Sequence, residues 1–411
     1  MIQMTMGLLS RRFPDRRKFA SGLLALGVHG YALSLLMGRG TYEPALIICA
    51  VAVAPRVLDP EGRSRLRGPL IWVLLAGVAF LVPGIWMASS PIGGDFHWAL
   101  ASCLLATTAI VMLPLGPDAR PNPSTAAAFM MMVFVAFHLA GNAWGVQENK
   151  VGWAGGFNNI HYMALFAVMS MPLLIYLTLG AGGRVRRLLA GALAADFWLL
   201  MQSHSRPGYL ALIATALVFL LFVAPRRRWL GALALLLLLS GVYASGLFEF
   251  SARINDFLTH LDQEERAVIW REFLRLQENS TPAQWLFGHG LGQYFMDYQA
   301  ISSFHDLPHG LNRDFSSPHN FFLEVLYSCG VWGLLVFLSG YLAWFRAVIQ
   351  AIRANQIPEW RGLGLMLLSV MTAQLTMCFF TIPFFSRHHL HPLSLILGAS
   401  LAYLQQGRNH E

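Results

Sequence analysis

The chain has 411 residues, of which 56% are hydrophobic and only 12% charged, and its mean hydropathy is +0.52. A composition so apolar and so poor in charge excludes an ordinary soluble domain and places the chain in a bilayer. The net charge of +8 does not point to nucleic acid, because the arginines stand in small groups between apolar runs and form no single basic patch.

From the N-terminus, a basic patch at residues 11–18 leads into an apolar run with no small-residue cleavage site, which predicts a retained first span rather than a signal peptide. A span needs about 20 mostly apolar residues. Candidates start near Phe19, Glu43, Pro69, His97, Ser124, His161, Leu188, Pro207, Trp229, Asn320, Gly362 and Leu390. The expected fold is therefore all-α: a polytopic membrane protein of about 12 transmembrane helices with one large external loop containing helices. Residues 1–247 would hold spans one to nine, residues 248–319 the loop, and residues 320–411 spans ten to twelve. Cys49, Cys103, Cys329 and Cys378 lie in or beside apolar stretches without metal or disulfide spacing, and read as packing residues.

Cytoplasmic loops collect Lys and Arg. With both termini inside, twenty of the 29 basic residues fall in cytoplasmic segments. The exceptions are Arg39, Lys150, Arg206, Arg253, Arg266, Arg271, Arg275, Arg313 and Arg387, and exceptions to a topology rule are where function is sought. Two external segments are long, residues 143–160 and 248–318. In the second, residues 253–277 read as an amphipathic helix suited to lying on the membrane surface. A glycine-rich turn follows, Gly288-His289-Gly290-Leu291-Gly292, then an irregular stretch ending at Pro318-His319-Asn320.

Arg206 ends a very short external turn, and Pro207 opens the next helix. A guanidinium held there suits bidentate contact with phosphate, against the alternative of interfacial anchoring. Arg266 sits beside Glu264 and Glu265, where an ordinary solvated charge is the competing account. His319 is placed to take a proton from a hydroxyl near neutral pH, and Glu324, inside an apolar run, to orient it or hold an arginine. Arg387, His388, His389 and His391 form a second external group. Adjacent helical histidines point apart and no partner carboxylate or cysteine is near, so phosphate or sugar contact is expected there rather than a metal. Asn158, Asn159 and His161, with Trp144 and Trp153, suit sugar contact or interfacial anchoring.

In order and spacing, residues 200–340 resemble the O-antigen ligase and polymerase superfamily of bacterial membrane glycosyltransferases. The resemblance rests on Ser205-Arg206-Pro207-Gly208, Glu265-Arg266-Ala267-Val268-Ile269-Trp270, the Gly288 to Gly292 turn, Pro318-His319-Asn320-Phe321-Phe322-Leu323-Glu324, and Gly330-Val331-Trp332-Gly333. Pro207 departs from the glycine that often follows the arginine. The resemblance implies inverting, metal-independent and cofactor-free transfer of a glycan from undecaprenyl diphosphate at the periplasmic face of the bacterial inner membrane. It implies Arg206, Arg266 and His319 as catalytic groups. Asn320, Glu324, Tyr209, Arg313, Arg387, His388, His289 and His161 are the expected substrate contacts. The expected partners are the undecaprenyl diphosphate-linked O-antigen donor, a lipid A core acceptor and membrane lipids. A polymerase or a protein O-oligosaccharyltransferase of the same superfamily would share these features. A transporter would need charges within the spans and repeated halves, and Asp196 is the clearest mid-span charge.

Overall fold

The computed structural model describes residues 26–28, 42–58, 75, 93–112, 148–149, 152–153, 160–222, 225–246, 255, 265–301, 318–355, 357–381 and 387–407. Among these, the protein is helical apart from a two-residue antiparallel pairing of β1 (Glu148–Asn149) with β2 (Gly152–Trp153). The helices are α1 (Tyr42–Leu58), α2 (Gly93–Met112), α3 (Ile160–Gly180), α4 (Gly183–Gln202), α5 (Arg206–Phe222), α6 (Pro225–Ala244), α7 (Glu265–Glu278), α8 (Pro282–Phe287), α9 (Gln293–Ile301), α10 (Phe321–Ala354), α11 (Pro358–Phe380) and α12 (Arg387–Gly407). Three of them, over Ile160–Gly180, Phe321–Ala354 and Trp360–Phe380, are long and apolar enough to cross a membrane. Of the spans expected near Phe19 and Pro69 only residues 26–28 and 75 are described, and the one expected near Ser124 lies outside the described residues.

The bundle is built by α3 packing on α4, α5 and α3 on α11, α10 on α11, and α12 on α2. Its core is apolar, with Leu165, Val168, Leu200, Phe321 and Met371 buried together. Small residues set the closest approach. A Cβ on Gly208 would lie 2.8 Å from Leu200 Cδ1 and 3.0 Å from Ala164 Cβ, so glycine lets α5 press against α3 and α4. The one mid-span charge singled out from sequence, Asp196, is fully buried on α4 and accepts a hydrogen bond from the Ser170 hydroxyl of α3. A polar pair closed off from lipid in this way ties two packed helices together.

The tenth expected span is not one straight helix. Gly330 has φ 67 and ψ −171, and the chain folds back there. Sixteen residues of straight helix would separate Phe321 from Phe337 by about 24 Å, yet their ring centroids lie 5.0 Å apart. Residues 321–329 therefore form a short arm that returns to the body of the bundle, and Phe322 meets Phe379 at the end of α11 at 5.4 Å. Of the helix expected over residues 253–277, the first part lies outside the described residues apart from Asn255, and the described part, α7, differs in its placement. Within α7 the apolar face, Ile269, Phe273 and Leu276, is buried against Tyr294 and Tyr298 of the α9 region and Tyr327 of the arm. That face packs on protein and is not turned to a membrane surface.

Candidate active site

The turn between α4 and α5 is held by its own hydroxyls. Ser203 Oγ donates to the Leu200 carbonyl at 2.6 Å and accepts from Ser205 N–H at 3.2 Å, while Ser205 Oγ accepts from Gly208 N–H at 3.3 Å and so caps the start of α5. His204 between them has φ 52, a left-handed conformation unusual for a residue with a side chain. Arg206 follows as the first helical residue, half-buried. Tyr209 lies beneath the turn, and its buried hydroxyl donates to the Met201 carbonyl at 3.0 Å. That contact ties α5 to the end of α4.

His161, at the start of α3, reaches this turn: its Nδ1 lies 3.0 Å from Ser205 Oγ. The same imidazole is close enough to Arg266 and His319 to interact with both electrostatically. Three segments far apart in sequence thus meet around one ring.

Arg266 and His319 share an anchor that the sequence does not advertise. Arg266 Nε donates to the Phe380 carbonyl at 2.7 Å, and His319 Nδ1 bonds the next carbonyl, that of Thr381, at 3.1 Å. These are the last carbonyls of α11, the negative end of its dipole. A carbonyl only accepts, so His319 Nδ1 carries the hydrogen, and in the neutral ring the lone pair resides on Nε2. His319 has φ 50, which with His204 makes the two non-glycine positive-φ residues among those described. Backbone conformations of this kind cost about 1–3 kcal/mol and gather at functional sites.

One helix face fixes the geometry. Trp270 lies one turn after Arg266 on α7; its Nε1 donates to the Pro318 carbonyl at 3.1 Å, and its ring stands edge-on to Phe379 at 6.4 Å. The polar side of α7 therefore clamps both the end of α11 and the residue before His319, while its apolar side anchors in the tyrosine cluster. Asn320 caps α10, its Oδ1 accepting from Phe322 and Leu323 N–H at 2.9 and 3.2 Å. Glu324 is buried one turn into the same helix, at the end of the dipole that favours negative charge.

His289 is placed elsewhere. Its ring stacks on Tyr327 with centroids 4.1 Å apart, its Nε2 is 2.8 Å from Ser280 Oγ, and its Nδ1 is 3.8 Å from Asp297 Oδ2. Burial pushes this imidazole below its ordinary value, opposed by the Asp297 carboxylate. The glycine turn around it docks by backbone: His289 and Gly290 N–H donate to the Tyr327 and Ser328 carbonyls at 2.7 and 3.1 Å. A Cβ on Gly288 would collide with the backbone of Ser328 and Cys329, and one on Gly330 with that of Leu286 and Gly288. This close approach explains Gly288, and positive φ values suit Gly290 and Gly292 to glycine.

Arg313 lies outside the described residues, and so do the side chains of Arg387, His388, His389 and His391 at the start of α12. Sequence reasoning missed Ser205 as a link to His161, Trp270 as a clamp, and the Phe380 and Thr381 carbonyls. Trp270, four residues after Arg266, was the available signal. Backbone carbonyls carry none.

No curated protein matches the chain. Residues 189–338 match the family model described as O-antigen ligase, a stretch that holds Arg206, Arg266 and His319 together with the folded-back arm. Over that segment, somewhat more than a third of the chain, the protein is similar to the O-antigen ligase and polymerase superfamily.

Proposed function

We propose that the protein is an O-antigen ligase, joining a glycan from undecaprenyl diphosphate to the lipid A core at the periplasmic face of the inner membrane. In this account twelve spans place both termini in the cytoplasm, with residues 248–319 outside. The observation that carries it is the convergence of Arg266 and His319 on consecutive carbonyls at the end of α11, beside the His161–Ser205 contact that leads to Arg206.

The acceptor hydroxyl attacks the anomeric carbon of the donor from the face opposite the diphosphate. The bond from that carbon to the phosphate oxygen breaks, its electron pair leaves with the diphosphate, and the configuration inverts. The hydroxyl proton passes to His319 Nε2, the nitrogen left basic by the Thr381 contact. Negative charge grows on the departing diphosphate, and two guanidiniums already held in place stabilise it without reorganising. Arg266 is held through its Nε, and Arg206 by the capped turn beneath it. In this assignment Asn320, Tyr209 and His289 support the site through the capping, turn and docking contacts described above. Glu324 and His161 orient the charged groups.

The test is transfer by the purified protein from undecaprenyl diphosphate-linked O-antigen to rough lipopolysaccharide, in EDTA, with Arg206→Ala, Arg266→Ala and His319→Ala alongside. Removal of one preorganised charge donor is expected to cost about 10²–10³-fold in rate, and removal of the base about 10²–10⁴-fold. A well-folded wild type that builds no ladder on lipid A core, yet extends O-units or modifies a protein, would replace the ligase by the polymerase or the protein-directed enzyme. Wild-type transfer that stops in EDTA would sink the metal-independent mechanism.

A further inference from the structure

Among the described residues outside the bundle, the short helix α8 presents an exposed apolar surface. Its sequence, Pro-Ala-Gln-Trp-Leu-Phe, contains no charge, and none of its residues is buried. Trp285, Leu286 and Phe287 are 41%, 48% and 43% exposed. Three consecutive large apolar residues held in this way in water would be costly. The helix is nonetheless well made: Thr281 and Gln284 form a reciprocal capping box that satisfies donors at its N-terminal end.

Its position is set rigidly. Gly288 and Gly330 bring the backbone after α8 against the apex of the folded-back α10, so closely that neither position has room for a side chain. Beyond that apex, residues 331–350 supply the roughly 20 residues that a hydrocarbon core of about 30 Å requires. Arg346 and Arg353 mark the opposite, basic end. The apex therefore stands where the span leaves the hydrocarbon. Val331, Trp332 and Leu335, the first residues of the descending limb, are themselves exposed. They continue the apolar surface of α8 into the lipid-facing side of a spanning helix. Tryptophan concentrates at this depth, where its ring is part apolar and part wet. A protein partner would have to cover a surface already continuous with one that faces lipid.

We propose that α8 is a membrane-interface docking element that seats Trp285, Leu286 and Phe287 among the lipids of the leaflet at the apex of α10. The role first suggested by the sequence for the long amphipathic helix before it is thus taken by α8. Docking of α8 fixes the height of the Gly288 turn, and through it the arm that carries His319, relative to the bilayer. The proposal stands whether or not the protein transfers glycans.

The test uses the full chain in vesicles of palmitoyl-oleoyl phosphatidylethanolamine and phosphatidylglycerol. Nitroxide labels are attached at Leu286→Cys, at Leu342→Cys as the lipid-exposed reference on the same helix as the apex, and at Glu278→Cys as the exposed reference at the end of α7. The four native cysteines are buried, and the wild type reports any background labelling. Collision with oxygen relative to a water-soluble nickel chelate is expected to be several-fold higher at 286 than at 278 and to approach the value at 342. Phe287→Cys repeats the measurement should Leu286→Cys fail to insert. A label at either position that meets the nickel reagent as freely as 278 overturns the proposal. Protection found in membranes of the producing cells but not in the vesicles overturns it too, and assigns the patch to a protein partner.

Discussion

Replacing Gly330 with alanine tests the fold-back on which the site depends. At φ 67 and ψ −171 the residue occupies a region that is essentially glycine's alone, and forcing alanine there costs about 1–3 kcal/mol. The new methyl would collide with the Leu286 carbonyl and stand 2.6 Å from Gly288 N. Both are backbone atoms locked by the α8 contact and unable to swing aside, and overpacking of this kind adds about 1–3 kcal/mol. The sum, about 2–6 kcal/mol, is a large part of the 5–15 kcal/mol by which typical domains are stable. Gly340 on the same helix is the control. No atom lies within 4 Å of its would-be Cβ, so alanine there gains helix propensity, about 0.5–1 kcal/mol. Thermal unfolding in detergent, followed by tryptophan fluorescence, should show Gly330→Ala melting well below wild type and Gly340→Ala at or above it. Transfer activity should be lost only in the first. A Gly330→Ala protein that melts with wild type and transfers at full rate would refute the account of the arm.

His319→Asn keeps an N–H near the Nδ1 position to donate to Thr381 and tolerates the positive φ. It should fold as wild type and lose about 10²–10⁴-fold in turnover, measured at saturating donor. Arg266→Lys preserves the charge but not the planar fork bonded to Phe380, so it should recover little of the activity lost in Arg266→Ala in the same assay. Burial holds His289 below its ordinary value of 6.5, so the unfolded chain takes up the proton first. Stability is then full above about pH 6.5 and declines as pH falls toward the folded value, by at most about 1.4 kcal/mol per pH unit. Unfolding across pH 7.5 to about 5 should reveal this slope, flattened in His289→Phe, which keeps a ring against Tyr327 but cannot titrate.

The candidate residues were legible because charge and turn residues announce themselves in an apolar chain. Arg206 and Arg266 stood out as exceptions to the expected placement of basic residues and His319 by its place where the long loop meets an apolar run, and the structure brings Arg266 and His319 to neighbouring carbonyls. Orientation was harder to read. The apolar spacing of residues 265–278 predicts a buried face equally for a helix on a membrane and for one on protein, and three tyrosines from other elements decided for protein. The break at Gly330 was invisible to hydropathy, because the arm at 321–329 is as apolar as the limb that follows it. Only the glycine hinted at it. The docking of Gly288 against Gly330 is likewise a matter of missing side chains, and the absence of a Cβ gives no pattern to count.

The most direct test of the central claim is the release of undecaprenyl diphosphate by the purified protein, counted against glycan joined to lipid A core. The account predicts one released for each glycan transferred, no release without acceptor, and release abolished in His319→Asn while the donor still binds. Release that proceeds without acceptor or survives in His319→Asn, or glycan joined with no diphosphate released, would contradict it.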